Sequence, residues 1–435
     1  MRFFVVAAVL SVVVAFGAVS TSGSGLNITY RIPLSLANNA NGVIPTAADG
    51  SNYYVLDTIG VVFAFRAADG MLLWSAPGTF ESMQISLFDG APNYVFVVGP
   101  MSVAAMAKAS GTVAATFNTS AIFGAGSAGV IIQPPSGDLI LLDGHLNEKL
   151  HIPAADGLFA SIAASQQYIA TIWQENFGEY NERTVVFSAQ TGNVLCNFSG
   201  GIDTQFFTGL PFEILGLDLL ISGYVHNHYF KTVVYNLSSC EFFTTKYIGD
   251  AMNLETYSTT LLRKASGYMY AANYSATFNF TSGLPVVHSL KLFRNMVGTN
   301  NTAWSIELPS GGHPFTLMKP LLGTLPFQPD AITVYWNSMI GGFNSTTGEM
   351  LWNVTQQLPV GPANAANQFI FPLGSGSLFI PNLQGYIVYN VHSKSIEAHV
   401  ETQPITGPVS FSAADGSAMV VFVDINSGAV VGARA

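Results

Sequence analysis

From Asn27 to the C-terminus the chain alternates apolar and polar positions in short runs, broken by Gly, Asp, Asn and Ser. A period of two predicts half-buried strands. One hairpin pattern recurs through these runs. A large apolar residue is followed by a polar turn opener, then by a glycine five residues after the apolar one, and often by an aromatic four residues later. The clearest copy is Val62-Phe63-Ala64-Phe65-Arg66-Ala67-Ala68-Asp69-Gly70, continued by Met71-Leu72-Leu73-Trp74. A second runs from Val103 through Met106 and Gly111 to Phe117. Others place Phe187 before Gly192, Phe343 before Gly348 and Trp352, and Phe422-Val423 before Gly428. Degenerate copies stand at Leu141-Leu142, Val234-Tyr235, Leu292-Phe293 and Val388-Tyr389.

The spacing has a physical reading. Asp143, Asn236, Asn344, Asn390 and Asp424 share the position just before the turn, where a short polar side chain can bond the turn backbone. The glycine supplies a left-handed residue at little cost. Trp74 and Trp352 are then placed to fill the gap between neighbouring sheets. Two further short strands precede most hairpins, for example around Ile44–Ala48 and Tyr53–Asp57, which makes a four-stranded unit. A repeat of this length is the mark of a propeller or solenoid. The expected fold is an all-β propeller of eight four-stranded blades, with seven or nine as alternatives. The strand Asn27–Leu34 and the hairpin Met419–Ala433 are expected to share one blade, which removes an exposed edge. No Pro/Ser-rich boundary divides the chain, so residues 21–435 read as one domain.

The A-ψ-x4-G-x3-W character of the hairpin, with ψ a large apolar residue, resembles the outer two strands of a PQQ-like blade, the repeat of the quinoprotein-type β-propeller family. Asp69-Gly70 with Trp74, and Thr347-Gly348 with Trp352, are its strong copies. The pattern is shared by quinone-dependent dehydrogenases, by non-enzymatic propellers that help assemble membrane proteins, and by many secreted proteins. The dehydrogenases hold their quinone against adjacent cysteines and a calcium ion. Here the only cysteines are Cys196 and Cys240. The resemblance is therefore read toward the non-enzymatic branch, with no cofactor expected.

Composition sets the compartment. Met1-Arg2 precedes a sixteen-residue run, Phe3 to Ala18, interrupted only by Ser11 and Gly17, and Ala18-Val19-Ser20 has the small residues of a cleavage site. Residues 1–20 read as a signal peptide, since the run falls short of the ~20 residues of a spanning helix. The expected location is outside the cell or in the lumen of the secretory pathway. Charged residues make up 9% of the chain and apolar ones 49%, a balance that excludes disorder. A net charge of −10 with only 15 Lys and Arg excludes nucleic-acid binding and gives no basic patch for anionic membrane. Sequons at Asn27, Asn118, Asn197, Asn236, Asn273, Asn279, Asn300, Asn344 and Asn353 read as glycan acceptors. Cys196 and Cys240 are either one disulfide or two buried thiols.

No Walker loop, H-E-x-x-H helix or G-x-S-x-G elbow is present. One constellation carries candidate chemistry. In a propeller the connections from second to third strand emerge on one face, and three consecutive ones read as long loops. The first, Trp173 to Arg183, carries Glu175, Glu179 and Glu182. The next carries Tyr224, His226, His228 and Tyr229, and the third Asn273, Tyr274, Phe278 and Asn279. Converging, they would make an aromatic, acidic and imidazole-bearing surface suited to a protein, peptide or glycan. No metal site is expected, since two histidines lack a third ligand. The leading functional reading is a secreted, non-catalytic binding scaffold. A hydrolase or lyase acting at the same face is the alternative, and a quinone-dependent oxidoreductase the third.

Overall fold

A computed structural model describes residues 26–34, 46–57, 60–76, 84–119, 121–154, 158–176, 179–203, 212–215, 218–226, 229–248, 255–263, 268–279, 284–296, 302–308, 321–325, 328–336, 339–354, 370–374, 376–381, 385–400, 405–412 and 417–434. These residues form nine four-stranded antiparallel sheets. In chain order the sheets occupy residues 46–76, 84–117, 122–152, 158–203, 212–248, 255–307, 321–354, 371–400 and 405–434. The ninth takes its outermost strand, Asn27–Pro33, from the other end of the chain.

Apolar clusters join consecutive sheets. Tyr54, Leu56 and Trp74 of the first pack on Ile85, Val95 and Met106 of the second. Phe96 and Val103 of the second meet Val130 and Leu142 of the third, whose Ile131 and Leu141 meet Trp173 and Val185 of the fourth. The sixth and seventh share Tyr270, Leu292 and Trp336, the seventh and eighth Trp352 and Tyr389, and the eighth and ninth Phe379 and Phe422. The inner strand of the fourth sheet lies beside that of the fifth, whose second strand lies beside the inner strand of the sixth, and Thr46–Ala48 lies beside Ile405–Ser412 to complete the ring. The molecule is a β-propeller.

The closing sheet joins the ends of the chain by the ladder Asn27↔Arg434 to Pro33↔Ala429. Arg31 reaches across to the carboxylate of Asp424, a residue 2% exposed, and donates to Ser427 Oγ at 2.7 Å. Tyr30 donates its hydroxyl to the carbonyl of Ala67 at 2.8 Å and so ties the clasp to the first sheet. Burial raises the Tyr30 pKa, with Tyr53 and Asp69 adding to it, so that hydroxyl stays protonated and donating.

Nine sheets match the nine copies of the hairpin and stand one above the preferred count of eight, which followed the roughly four to eight blades usual in propellers. The copy in the ninth sheet differs from the rest. The Phe422-Val423…Gly428 copy of the repeat turns from the second strand, Ala418–Asp424, into the third, Ala429–Arg434. It is not an outer hairpin; that of the ninth sheet is split between the two ends of the chain. The other copies all join third strands to fourth.

Those outer turns are alike in detail. The residue five places after the large apolar one is left-handed in every described case: Gly70, Gly111, Leu146, Gly192, Cys240, Gly348 and Lys394 have φ between 54° and 77°. Asn344 Oδ1 accepts from the amides of Thr346 and Thr347 at 2.8 and 3.0 Å. Asn236 and Asn390 do the same for their own turns. A bulge follows on the outer strand. Phe65 pairs with Leu72 but Ala64 with Trp74, so Leu73 is extra. The same shift occurs beside Val113, Glu148, Val194, Thr302, Met350 and Ile396. Without it Leu72 and Trp74 would share a face. With it Leu72 is 37% exposed while Trp74 is 8% exposed and packed between sheets.

Candidate functional site

The second-to-third-strand connections lie on the face opposite those turns. In the first sheet, Phe65 pairs with Tyr53, and the second strand ends three residues on, at Leu56. The second and eighth sheets match it, running from Val95 to Val98 and from Leu378 to Pro381. The fourth, fifth and sixth sheets do not. From Ile169, opposite Phe187, the strand continues seven residues to Asn176. From Leu219, opposite Tyr235, it continues seven to His226, and from Ala271, opposite Phe293, eight to Asn279. Four or five extra residues at ~3.4 Å each raise these three hairpins by about 14–17 Å. The seventh sheet returns to a short hairpin, Ile332 to Trp336.

The three segments read as long loops are thus strands for most of their length. From Trp173 to Arg183 every described residue is strand, with Gln174 opposite Glu182 and Asn176 opposite Glu179, and 177–178 lie outside the described residues. Glu175 belongs to Tyr168–Asn176, and Glu179 and Glu182 to Glu179–Ser188, so the three carboxylate residues occupy the end of one hairpin. His226 and Tyr229 are the last cross-strand pair of the next hairpin, and His228 lies outside the described residues. Tyr274 departs further from expectation. It pairs with Tyr257 on one side and Leu290 on the other, five residues short of Asn279, so it belongs to the ladder and not to a connection. The structure therefore brings Glu175, Glu179, Glu182, His226 and Tyr229 to hairpin ends on adjacent sheets and sets Tyr274 lower on a third. Among the described residues no three His, Cys, Asp or Glu are grouped to hold a metal ion.

Sequence reasoning passed over the ties between sheets on the opposite face. Lys108, in the outer turn of the second sheet, places its Nζ 3.1 Å from Asp49, in the inner turn of the first. Asp49 Oδ1 accepts from the amides of Ser51 and Asn52 at 3.0 and 2.8 Å, and Oδ2 accepts from Tyr54 Oη at 3.0 Å. Burial opposes ionisation of Asp49, but the two amides and the Lys108 ammonium outweigh it and hold the carboxyl below its usual range. Trp74 Nε1 donates to the carbonyl of Lys108 at 2.6 Å, which joins the ion pair to the packed indole. Asp49-Gly50 is the kind of pair that opens a turn, but nothing local in the sequence points to a partner 59 residues on.

Cys196 and Cys240 are joined by a disulfide, with Cα atoms 5.5 Å apart. They come from the outer strand of the fourth sheet and the outer turn of the fifth. The adjacent-cysteine support of a quinone, implied by the resemblance, has no counterpart in cysteines so placed. Of the sequons, Asn27, Asn118 and Asn197 are exposed, Asn236 and Asn344 open outer turns, and Asn353 is partly covered beside Trp352. Asn273 and Asn279 lie on the tall strand Tyr268–Asn279, and Asn300 falls outside the described residues.

No protein-family model and no curated protein matches the chain. Solved structures do. The quinohemoprotein alcohol dehydrogenase from Comamonas testosteroni is 11% identical, with 94% of this chain and 76% of that one covered at a TM-score of 0.50. BamB from Moraxella catarrhalis is 14% identical over 94% and 98% of the two chains, at a TM-score of 0.49. A europium-containing methanol dehydrogenase is 9% identical over 92% and 84%, at 0.46. Likeness at these identities is likeness of fold. With the nine sheets, the closing strand and the repeated outer turn, the chain has the PQQ-like β-propeller fold.

Proposed function

We propose that this chain is a secreted, non-catalytic propeller that binds a partner through the raised hairpins of its fourth, fifth and sixth sheets. The observation that carries the reading is the height of those hairpins. Three neighbours exceed the first, second and eighth sheets by four or five residues, measured from equivalent positions. A ring does not need the extra length to close, so its use lies in what it presents. Its ends carry Glu175, Glu179, Glu182, His226 and Tyr229, a set that offers acceptors, imidazole and a phenol ring to a peptide or glycan. The short apolar N-terminal run and the sparse charge support a place outside the cytosol.

The test is a screen of the purified full chain against peptide and glycan arrays, repeated with Glu179→Ala and His226→Ala. A ligand whose binding weakens at least about ten-fold in either variant, a loss of ~1.4 kcal/mol, supports the surface. A ligand bound equally by wild type and both variants overturns it.

A further inference from the structure

The seam between the fourth and fifth sheets departs from the docking seen at four other seams. At those four the left-handed residue of the outer turn is a glycine that receives an apolar side chain from the outer strand of the preceding sheet. Gly111 faces Trp74, Gly348 faces Trp304 and Ile306, Gly192 faces Leu150, and Gly70 faces Tyr30 and Ile32. Trp74 stands four residues after Gly70. In the fourth sheet the residue four after Gly192 is Cys196, and in the fifth the left-handed position is held by Cys240, at φ 57°. The disulfide thus occupies the place of an aromatic-on-glycine contact. A β-carbon on Gly111 would stand 2.5 Å from Cε3 of Trp74, so the usual docking needs a bare glycine. Cys240 has a β-carbon and cannot reproduce it.

We infer that this seam is a latch opened by small-molecule thiols. Cys196 is 2% exposed, whereas Cys240 is exposed on its turn, so an attacking thiolate has access to Cys240 Sγ. Attack there forms a mixed disulfide and releases Cys196 as a thiolate, which takes a proton from water. A second thiolate then attacks the outer sulfur of the mixed disulfide. It leaves Cys240 as a thiolate, later protonated, and carries away the oxidised thiol; two electrons pass from the two thiols to the protein. After reduction Cys196 is too small to replace an indole, and Cys240 retains a disfavoured backbone conformation without the bond that held it. The four glycine seams keep their apolar docking and do not respond.

The test is amide hydrogen exchange of the full chain with and without dithiothreitol. Exchange in Val194–Asp203 and Glu241–Ile248 should rise about ten-fold or more on reduction, and that in Leu72–Ala76 should not change. The double variant Cys196→Trp/Cys240→Gly rebuilds the docking of Trp74 on Gly111, and its exchange should be low and indifferent to dithiothreitol. Unchanged exchange in the reduced wild type overturns the latch, as does a rise in the double variant on adding the thiol. Should the double variant fail to fold, the wild-type comparison decides alone.

Discussion

Gly111→Ala tests whether sheet-to-sheet docking, and not the turn conformation alone, holds neighbouring blades in register. Two costs are expected. Gly111 has φ 70°, which an alanine adopts at roughly 1–2 kcal/mol. The new methyl would also stand 2.5 Å from Cε3 and 2.8 Å from Cδ2 of Trp74, and an indole fixed by its bond to Lys108 must move, a further 1–3 kcal/mol or so by the usual cost of overpacking. Together the loss is about 2–5 kcal/mol. Gly137→Ala separates the parts: its φ is 86°, but the nearest atom to its new methyl is Ala154 Cβ at 3.5 Å, so it carries conformational cost without crowding. Trp74→Ala alone should cost ~3–5 kcal/mol, and combining it with Gly111→Ala should cost less than the sum, because the crowded ring is gone. Denaturant midpoints and slopes for the four variants supply the cycle. Equal losses for Gly111→Ala and Gly137→Ala, or strict additivity with Trp74→Ala, would refute the docking account.

Two other predictions concern charge and processing. Because the folded-state pKa of Asp49 is depressed, its contribution is complete above the unfolded value of about 4 and is lost as pH falls through the folded value. The stability gap between wild type and Asp49→Asn should therefore narrow as pH falls below about 4, and a gap that widens on acidification would be the wrong sign. Expressed through a eukaryotic secretory pathway, the protein should begin at Thr21 and carry glycans on exposed Asn118 and Asn197. N-terminal sequencing and peptide mass mapping before and after enzymatic deglycosylation read both.

The outer hairpins were legible because turn chemistry and spacing coincide in them. Gly70, Gly111, Gly192 and Gly348 announce the left-handed position by residue type. Leu146, Cys240 and Lys394 hold the same position but are recognisable only by counting five from Leu141, Tyr235 and Tyr389. The place of the last hairpin within its sheet was harder to read, because Asp424 to Gly428 uses the same local chemistry between second and third strands as its relatives use at outer turns. Local sequence does not record which neighbour a strand pairs with. The raised hairpins were misread for a different reason. Alternation is the signal for a strand, and the polar run from Gln174 to Glu182 shows none, so it resembles a loop. The three-sheet grouping of candidate residues followed from order along the chain, whereas the depth of Tyr274 depended on register.

The clasp between Asn27–Pro33 and Ala429–Arg434 also sets a timetable. On the ribosome the strand that completes the ring emerges first, and its partner Ala429 follows Pro33 by about 400 residues, some 20–80 s later at usual elongation rates. For that interval Tyr30 and Ile32, both buried in the finished ring, have no ninth sheet to enter. The eight sheets between can assemble in order of synthesis, each against the one before, but the first strand made is the last to be placed. A nascent chain of this kind gains its closing contact only after translation has delivered the far end, and any factor that shields the early strand acts within that window.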